Sequence, residues 1–466
     1  MKHFITFLII FFFFLTLFSQ TTWTVKQDGT GNFSSIQQAI NTSVSGDTIV
    51  VHNGRYYENI IYNGKNIYLT SLFKYTNNRE DIYNTIIDAN HQSSGIQIRN
   101  GETDAVINGF TITNGIGSTV PPSIERGGGG IHIRDAKATI LNNIIKNNNA
   151  TSSGGGIFIV SNQKFYLSGN IIKDNTVSSS SYLNDGGGIW IHPYAEVEFD
   201  PINKNSVFNN RALRGQDISY FNNLKYFYAV FDTFTVASND DFFIDTTGDF
   251  FFQTDNYVFE PINHDLYVCP LNGDDLNNDG LSWSSPFKTI KHAMYNIASD
   301  PIHPKTIYLA PGIYSRSNGQ EFHFIMKSNV NLQGAGRDIT IFDGEQGKGF
   351  IVTSPKTKNN SISDISFKNT KILRDKLEPI PIMLMGLDNL EIIRCSFEDG
   401  YAGVSSIGLE GYPDSLNAES NVFFSNLTFS NNTWGQLVIR AGFSVFENII
   451  ISNLRKEIAP VGPGHF

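Results

Sequence analysis

A short glycine-led strand recurs along the first half of the sequence, and this repeat constrains the fold more than any other feature. The strand is anchored on Ile96, Ile131, Ile157, Ile189 and Ile218, at intervals of 35, 26, 32 and 29 residues. A second β-branched run ending in Asn or Asp travels with it, at 109–115, 142–148, 169–175 and 205–210. Internal periods of about 20–50 residues are typical of solenoids, in which each repeat buries its apolar face against its neighbours.

The residue types indicate which solenoid forms. The strands are short, alternate with period two, and are separated by Asn, Gly and Asp, which tolerate left-handed backbone at sharp corners. No helical periodicity lies between them. We therefore predict an all-β, right-handed parallel β-helix whose coils stack about 4.8 Å apart. One corner is expected to carry a structural ladder formed by Asn114, Asn147, Asp174 and Asn209.

The two halves of the chain also match each other, at an offset of 254 to 258 residues. In each half an apolar stripe at i, i+3 and i+4 predicts one short helix that covers the open end of the first coil. Asp88 and Asp343 end matching strands, so we interpret them as turn residues rather than catalytic acids. The stripes are Ile36, Ala39 and Ile40 in the first half and Ile290, Ala293 and Met294 in the second.

These patterns predict two tandem modules. The first β-helix module is assigned to residues 21–262, with an aromatic-rich closing segment at 219–262. The second module is assigned to 263–466 and has no counterpart of that segment, so we expect it to be incomplete at its C-terminus.

Residues 1–20 are predicted to be a signal peptide. Lys2 and His3 precede an apolar run whose length, about 15 residues, suits a signal-peptide core and is short of the ~20 that span a membrane. A retained anchor is the alternative. No later segment is long and apolar enough to cross a bilayer, so we predict a secreted or cell-surface protein without a membrane span in the mature chain.

Charge and cysteine content limit the classes of partner. The net charge of −10 argues against nucleic acid, whose phosphates attract Lys and Arg, and mildly against a polyanionic ligand without a bridging cation. Cys269 and Cys395 are the only cysteines, so a disulfide scaffold is excluded. One bridge remains open, and two unpaired buried thiols are favoured.

Two stretches resemble known families. "TVKQDGTGNFSSIQQAI", from residue 24, is similar to the opening of the pectin-lyase-like superfamily, which includes pectin methylesterases. "DLYVCPLNGDDLNNDGLSWSSPFKTIKHAM", from residue 265, resembles a cap-plus-coil domain of exported bacterial β-helix proteins of unassigned function. The glycine-led coils also resemble those of polymorphic outer-membrane adhesins. These resemblances imply the fold rather than an activity, because caps and coils are scaffold.

The active-site motifs of the enzymes in that superfamily do not occur in this sequence. The Gln-Asp-Thr and Arg-Pro-Trp segments of methylesterases are missing, and so is the paired-aspartate and Gly-His-Gly set of polygalacturonases. The resemblance therefore carries no catalytic residue over to this chain.

Strand alternation predicts one ligand-binding surface. If the isoleucines point inward, His132, Phe158 and Trp190 form an outward column about 4.8 Å apart, with Arg134 and His192 beside it. Aromatic rings suit the apolar faces of sugars, while Arg and His bond their hydroxyl groups. The alternative is that loops between the coils cover this column and make it a small second core.

A calcium loop is the one metal site that the sequence raises. "DLNNDG" places Asp275, Asn277 and Asp279 at alternate positions before a glycine. The twelfth position is Pro286 rather than Glu, which excludes an EF-hand. A tight turn is favoured over an incomplete calcium site, and no other cofactor is predicted.

Two functional hypotheses remain. The first is an exported or cell-surface β-helix protein that binds a polysaccharide or a cell-surface glycan, or mediates adhesion, without catalysis. The alternative is a carbohydrate-active enzyme of the pectate lyase or pectin esterase type that acts on an acidic polysaccharide. The first is favoured because the sequence assembles no cluster of acidic and basic side chains on neighbouring coils. A structural envelope or matrix role is a third option.

Overall fold

The computed structural model describes fourteen stretches of the chain, and among them no helix is both long and apolar enough to cross a membrane. The predicted signal peptide lies outside the described residues except for Gln20, as does the C-terminal segment 453–466. The described stretches are 20–119, 126–178, 185–220, 227–237, 242–246, 250–347, 349–352, 357–370, 381–384, 388–400, 404–406, 421–432, 437–438 and 443–452.

Successive coils of the first half pair in parallel and build three sheets, as the repeat predicts. The glycine-led strands lie in register, with Ile96 opposite Ile131, Ile131 opposite Ile157, and Ile157 opposite Ile189. The parallel β-helix is therefore confirmed. Sheet 1 contains Thr22–Val25, Thr48–Val51, Tyr68–Ser71, Ala105–Asn108, Ala138–Leu141, Lys164–Ser168 and Glu196–Phe199. Sheet 2 contains Gly54–Tyr57, Thr85–Asp88, Thr111–Thr113, Ile144–Lys146, Ile171–Lys173, Asn205–Phe208, Phe227–Phe234 and Phe250–Tyr257. Sheet 3 contains Ile60–Ile61, Ile96–Ile98, Ile131–Arg134, Ile157–Val160, Ile189–Ile191, Ile218–Tyr220 and Ile244–Thr246, and a two-stranded corner pairs Asn149–Ala150 with Thr176–Val177.

The second half repeats the design with two further sheets. Sheet 4 consists of two arms that share one long strand, Asn421–Ser430. The first part of this strand pairs with one arm and its last part pairs with the other. Its first arm contains Leu266–Val268, Lys305–Leu309, Val330–Gly334, Lys358–Ser363 and Asp388–Ile393. Its second arm contains Gly312–Tyr314, Thr340–Gly347, Ser366–Thr370 and Ser396–Glu398, and Phe443–Ser452 pairs with the long strand. Sheet 5 contains Phe324–Ile325, Ile351–Val352, Ile382–Leu384, Val404–Ser406 and Leu437–Val438.

Within the described stretches, four short helices accompany the sheets, and two of them are the predicted caps. The first cap, Ile36–Thr42, begins at Ser35, whose hydroxyl accepts a hydrogen bond from the Gln38 amide. The second, Ile290–Asn296, begins at Thr289 in the same way. Both predicted apolar stripes are buried against the first coil. The other two helices, Phe73–Thr76 and Arg79–Asn84, lie between sheets 1 and 2.

The internal duplication extends to single hydrogen bonds. The buried Tyr56 hydroxyl donates to the carbonyl of His52 at 2.9 Å, and the buried Tyr314 hydroxyl donates to the equivalent carbonyl of Ala310 at 3.0 Å. Asp88 and Asp343 each accept from the amide two residues on and from an asparagine side chain on the next coil. Each carboxylate therefore caps the backbone turn that follows it. The boundary between the modules at 262 and 263 stays a prediction.

The asparagine ladder exists, but its stacked side chains are one residue further along than predicted. Asn114, Asn147, Asp174 and Asn209 do form the corner, with φ between 53° and 59°. A side chain in that conformation points away from the core, as exposed Asn147 shows. The next residue turns inward, so the buried ladder is Asn148, Asn175 and Asn210, and a parallel ladder is Asn143, Asn170 and Asn205.

An aspartate takes the next position in the first ladder. The Asp217 carboxylate accepts from the backbone and side-chain nitrogens of Asn210, at 3.2 and 2.9 Å. Asp217 is fully buried, and this burial raises its pKa to about 7, partly opposed by hydrogen bonds from Thr235 and Asn210.

The closing aromatic segment of the first half packs on the second capping helix. The ring of Tyr295 lies 5.4 Å from that of Phe243 and 5.2 Å from that of Phe259. The fully buried Lys327 amine lies 4.8 Å from the centre of the Phe242 ring and donates to the carbonyl of Ile297. Cationic and aromatic contacts therefore hold the two halves together.

Candidate functional site

The predicted column forms a continuous row of rings on the outer face of sheet 3. The Phe158 and Trp190 rings stack with centroids 4.8 Å apart and planes 18° apart. His132 lies 5.1 Å from Phe158 at one end. His192 and then Tyr194 extend the row at the other end, at 6.0 and 5.3 Å. We call these five residues the aromatic row.

The expectation that His132 and Phe158 face solvent is wrong. They are only 1% and 8% exposed, because the chain folds back over them. Backbone hydrogen bonds between Ser118 and Gly127 close this return, and a β-carbon on Gly127 would lie 2.9 Å from the Phe158 ring. This end of the row is the small second core that the sequence left as the alternative.

His132 is a neutral structural residue. Burial lowers its pKa to about 4, and neighbouring Arg134 adds to this effect. Its Nδ1 lies 2.9 Å from the Gly127 carbonyl oxygen, so Nδ1 carries the proton and donates. This hydrogen bond fastens the covering segment to the sheet.

The other end of the row is open. Arg134, Trp190 and His192 are half-buried, and Tyr194 is 68% exposed. Burial lowers the pKa of His192, and Arg134 lowers it further, so the imidazole is neutral near pH 7. Of the five predicted ligand-binding residues, the structure thus leaves Arg134, Trp190 and His192 accessible.

The side chains of the predicted calcium loop make hydrogen bonds to other parts of the chain and do not converge on one point. Both Asp275 oxygens accept hydrogen bonds at the start of the second capping helix, from the amides of Lys288 and Thr289 and from the Thr289 hydroxyl. Asn277 donates to Asp274, and Asp279 accepts from the Leu281 amide. This is the tight turn that the sequence favoured. Within the described ranges, no group of three His, Cys, Asp or Glu side chains is arranged to hold a metal.

A second aromatic surface lies on the first arm of sheet 4, and sequence reasoning missed it. Tyr267 and Tyr308 are cross-strand neighbours whose rings stack 5.4 Å apart. The Trp283 ring lies edge-on to Tyr267 at 4.8 Å and is 52% exposed. We call these three residues the tyrosine platform. Its signal was present, because Leu266 and Val268 point inward and alternation places Tyr267 outward.

Polar side chains continue this surface along the solenoid. Gln333 follows Tyr308 on the next coil, and Asn331 and then Ser361 follow Thr306. All of them are partly exposed. The platform therefore presents aromatic rings at one end of a strip that carries amide and hydroxyl groups at coil spacing.

A large cleft separates the two halves of the chain. It has a volume of about 1030 Å³. Residues 176–178, 211–213, 216 and 242 line it from the first half, and residues of the second capping helix together with 275, 288, 289, 316 and 319–323 line it from the second. We call it the central cleft. Four Lys or Arg residues line it against two Asp or Glu, although in the whole chain 44 acidic residues outnumber 34 basic ones.

The two cysteines are unpaired. Cys395 is fully buried, and burial raises the pKa of its thiol to about 12, while Cys269 is only partly buried. The favoured expectation of two unpaired buried thiols is therefore confirmed for the unpaired state of both, and for full burial only at Cys395.

Comparison with known proteins supports the fold. Residues 271–382 match a family described as a protein of unknown function, DUF1565. This match overlaps the segment that resembles a cap-plus-coil domain of β-helix proteins, so the recognition of a β-helix chain is confirmed. No curated protein matches the sequence.

Solved structures give distant likenesses. A GH136 lacto-N-biosidase from Eubacterium ramulus is 10% identical, with 93% of this chain and 68% of that chain covered and a TM-score of 0.21. The PL6 family alginate lyase AlyGC is 10% identical, with 92% and 89% covered and a TM-score of 0.21. The receptor-binding domain of the siphovirus 9NA tailspike is 8% identical, with 95% and 78% covered and a TM-score of 0.19. At these TM-scores the likenesses carry no argument about function.

Proposed function

We propose that this chain is a β-helix protein that binds a polysaccharide or cell-surface glycan without cleaving it. The tyrosine platform is the observation that carries the proposal. Its three rings come from separate segments, Trp283 is half open to solvent, and the platform continues into a strip of polar side chains.

The chemistry of the platform suits a sugar chain. Pyranose rings present C–H faces that pack on aromatic rings, and their hydroxyls need donors and acceptors nearby. Gln333 and Asn331 supply both on the coil next to Tyr308 and Thr306. Coils spaced about 4.8 Å apart offer repeated contacts to a repeating ligand.

The open end of the aromatic row is a weaker candidate for the same role. Trp190 stacks on buried Phe158, so part of its ring contributes to the fold rather than to a ligand surface. Tyr194 and His192 complete a smaller accessible set. Trp283, rather than the Trp190 predicted from the sequence, is therefore the leading candidate for the aromatic residue that contacts the ligand.

Retention on immobilised polysaccharides tests the proposal. A panel of neutral glucans, pectate, methylated pectin and alginate is compared for wild type, Trp283→Ala and Tyr57→Ala. Tyr57 is a matched control, because it is 65% exposed and lies on sheet 2. We expect Trp283→Ala to weaken retention by about tenfold, equivalent to about 1.4 kcal/mol, and Tyr57→Ala to leave it unchanged.

Two results would contradict the proposal. Wild-type protein with native circular dichroism could be retained by none of the polymers. Alternatively, both substitutions could reduce retention equally, which would indicate non-specific adsorption to exposed rings. Turnover of a polymer would favour the enzyme hypothesis, a lyase or esterase acting on an acidic polysaccharide.

A further inference from the structure

We propose that the central cleft is a second binding site, specific for a carboxylate carried on a ring. This site is separate from the tyrosine platform and does not depend on it. Its walls come from both halves of the chain, so it exists only when the first half is docked on the second capping helix.

Positive charge in the cleft is the first argument. Arg211 reaches it from the first half, and Lys288 reaches it from the second. Within the described part of the chain, neither side chain makes a hydrogen bond or an ion pair. Lys291, by contrast, is paired with Glu321 at 2.6 Å. Arg316, the fourth cationic residue, donates to the carbonyl of Phe322. Arg211 and Lys288 therefore remain to meet an anion, and a guanidinium binds a carboxylate through two parallel hydrogen bonds.

The acidic residues of the cleft offset only part of this charge, because two carboxylates face four cationic side chains. Asp275 already accepts three hydrogen bonds from the start of the capping helix, and Glu321 is occupied by Lys291. His292, which faces the cleft, is neutral near pH 7 because burial lowers its pKa, with Arg211 adding to the effect and Asp275 opposing it.

The aromatic side chains of the cleft favour a ligand that carries a ring over a simple anion. Tyr295 and Phe322 line the cleft, and Phe242 lies at its floor. The side chain of Asn296 adds an amide group, whereas the amide of Gln320 is occupied by the backbone of Ile290 and Lys288. Pockets for organic ligands measure about 300–1000 Å³ and combine apolar walls with a few placed polar groups. The cleft has this character and room for more than one ring.

Titration calorimetry tests the site with four probes. Digalacturonate and 4-hydroxybenzoate carry a carboxylate on a sugar and on an aromatic ring. Lactose is the neutral counterpart of the sugar acid, and inorganic phosphate is an anion without a ring. We expect at least one ring carboxylate to bind, and neither lactose nor phosphate. The tighter of the two carboxylates identifies the ligand class as sugar acid or aromatic acid.

Variants locate the binding. Arg211→Ala and Lys288→Ala should each weaken it by about tenfold, as the loss of a charge-assisted contact implies. Lys358→Ala removes the same charge from an exposed position outside the cleft and should have no effect. Trp283→Ala should also leave this binding unchanged, which separates the cleft from the tyrosine platform.

Three results would overturn the proposal. The first is that neither carboxylate binds the folded wild-type protein. The second is phosphate binding as tight as that of the carboxylates, which would show a charged patch without selectivity for a ring. The third is unchanged binding in both Arg211→Ala and Lys288→Ala, which would place the bound ligand elsewhere.

Discussion

Replacing Asn175 by alanine should destabilise the protein more than any substitution at the corner beside it. Asn175 is fully buried in the asparagine ladder. Its Oδ1 accepts from the backbone and side-chain nitrogens of Asn148, at 3.1 and 3.0 Å. Its Nδ2 donates to the carbonyl of Ile145 and to Oδ1 of Asn210, at 2.9 and 3.0 Å.

The expected cost follows from these four hydrogen bonds. Each contributes about 1 kcal/mol net, so Asn175→Ala should lower the free energy of unfolding by about 4 kcal/mol. The Asn148 amide loses its acceptor in a buried position, which alone costs about 1–3 kcal/mol. The matched control is Asn147→Gly, since Asn147 is exposed with φ of 53°, which glycine adopts freely.

Urea unfolding followed by far-ultraviolet circular dichroism measures the difference. We expect a clear shift of the midpoint for Asn175→Ala and a change below about 0.5 kcal/mol for Asn147→Gly. Equal shifts for the two variants would refute the reasoning, because the inward ladder would then add nothing beyond the corner itself.

Four further substitutions test three separate parts of the structure. Because folding raises the Asp217 pKa to about 7, its contribution to stability is fully present below pH 4 and is lost as the pH rises to 7, a change on the order of 4 kcal/mol. Asp217→Asn should remove this slope and stabilise the protein at pH 8 in urea titrations; an unchanged slope would contradict it. Trp190→Ala should lower the free energy of unfolding by about 2 kcal/mol or more while glycan retention stays within about twofold; the reverse pattern would return binding to the aromatic row. Tyr56→Phe and Tyr314→Phe should each cost about 1 kcal/mol, since both hydroxyls make the same bond, and unequal melting shifts would argue against structural equivalence of the two halves.

Much of the scaffold could be predicted because it depends on local alternation. Ile131, Ile157 and Ile189 are inward and in register, as period-two patterning requires. The left-handed corners follow from Asn and Asp at strand ends. The ladder was placed one residue early because a left-handed residue turns its own side chain outward and aims the next one inward.

The candidate site was less predictable, because the burial of a side chain and its hydrogen-bond partners depend on segments that are distant in the sequence. The sequence around His132 and Phe158 does not indicate that Gly127 packs over their side chains. Asp275 lies in the predicted turn, but its carboxylate bonds to Thr289, 14 residues away, and no local pattern indicates that contact. The tyrosine platform could have been found, since the alternation that marked Trp190 also marks Tyr267.

The central claim, binding without cleavage, is tested most directly on whichever polysaccharide retains the protein. That polymer is incubated with wild type, with and without millimolar calcium, and assayed for new reducing ends, for the ultraviolet absorbance of unsaturated products and for released methanol. Polymer that holds the protein and is recovered intact, with retention weakened by Trp283→Ala, is the predicted result. Product formation by wild-type protein on that polymer would contradict the account and establish an enzyme.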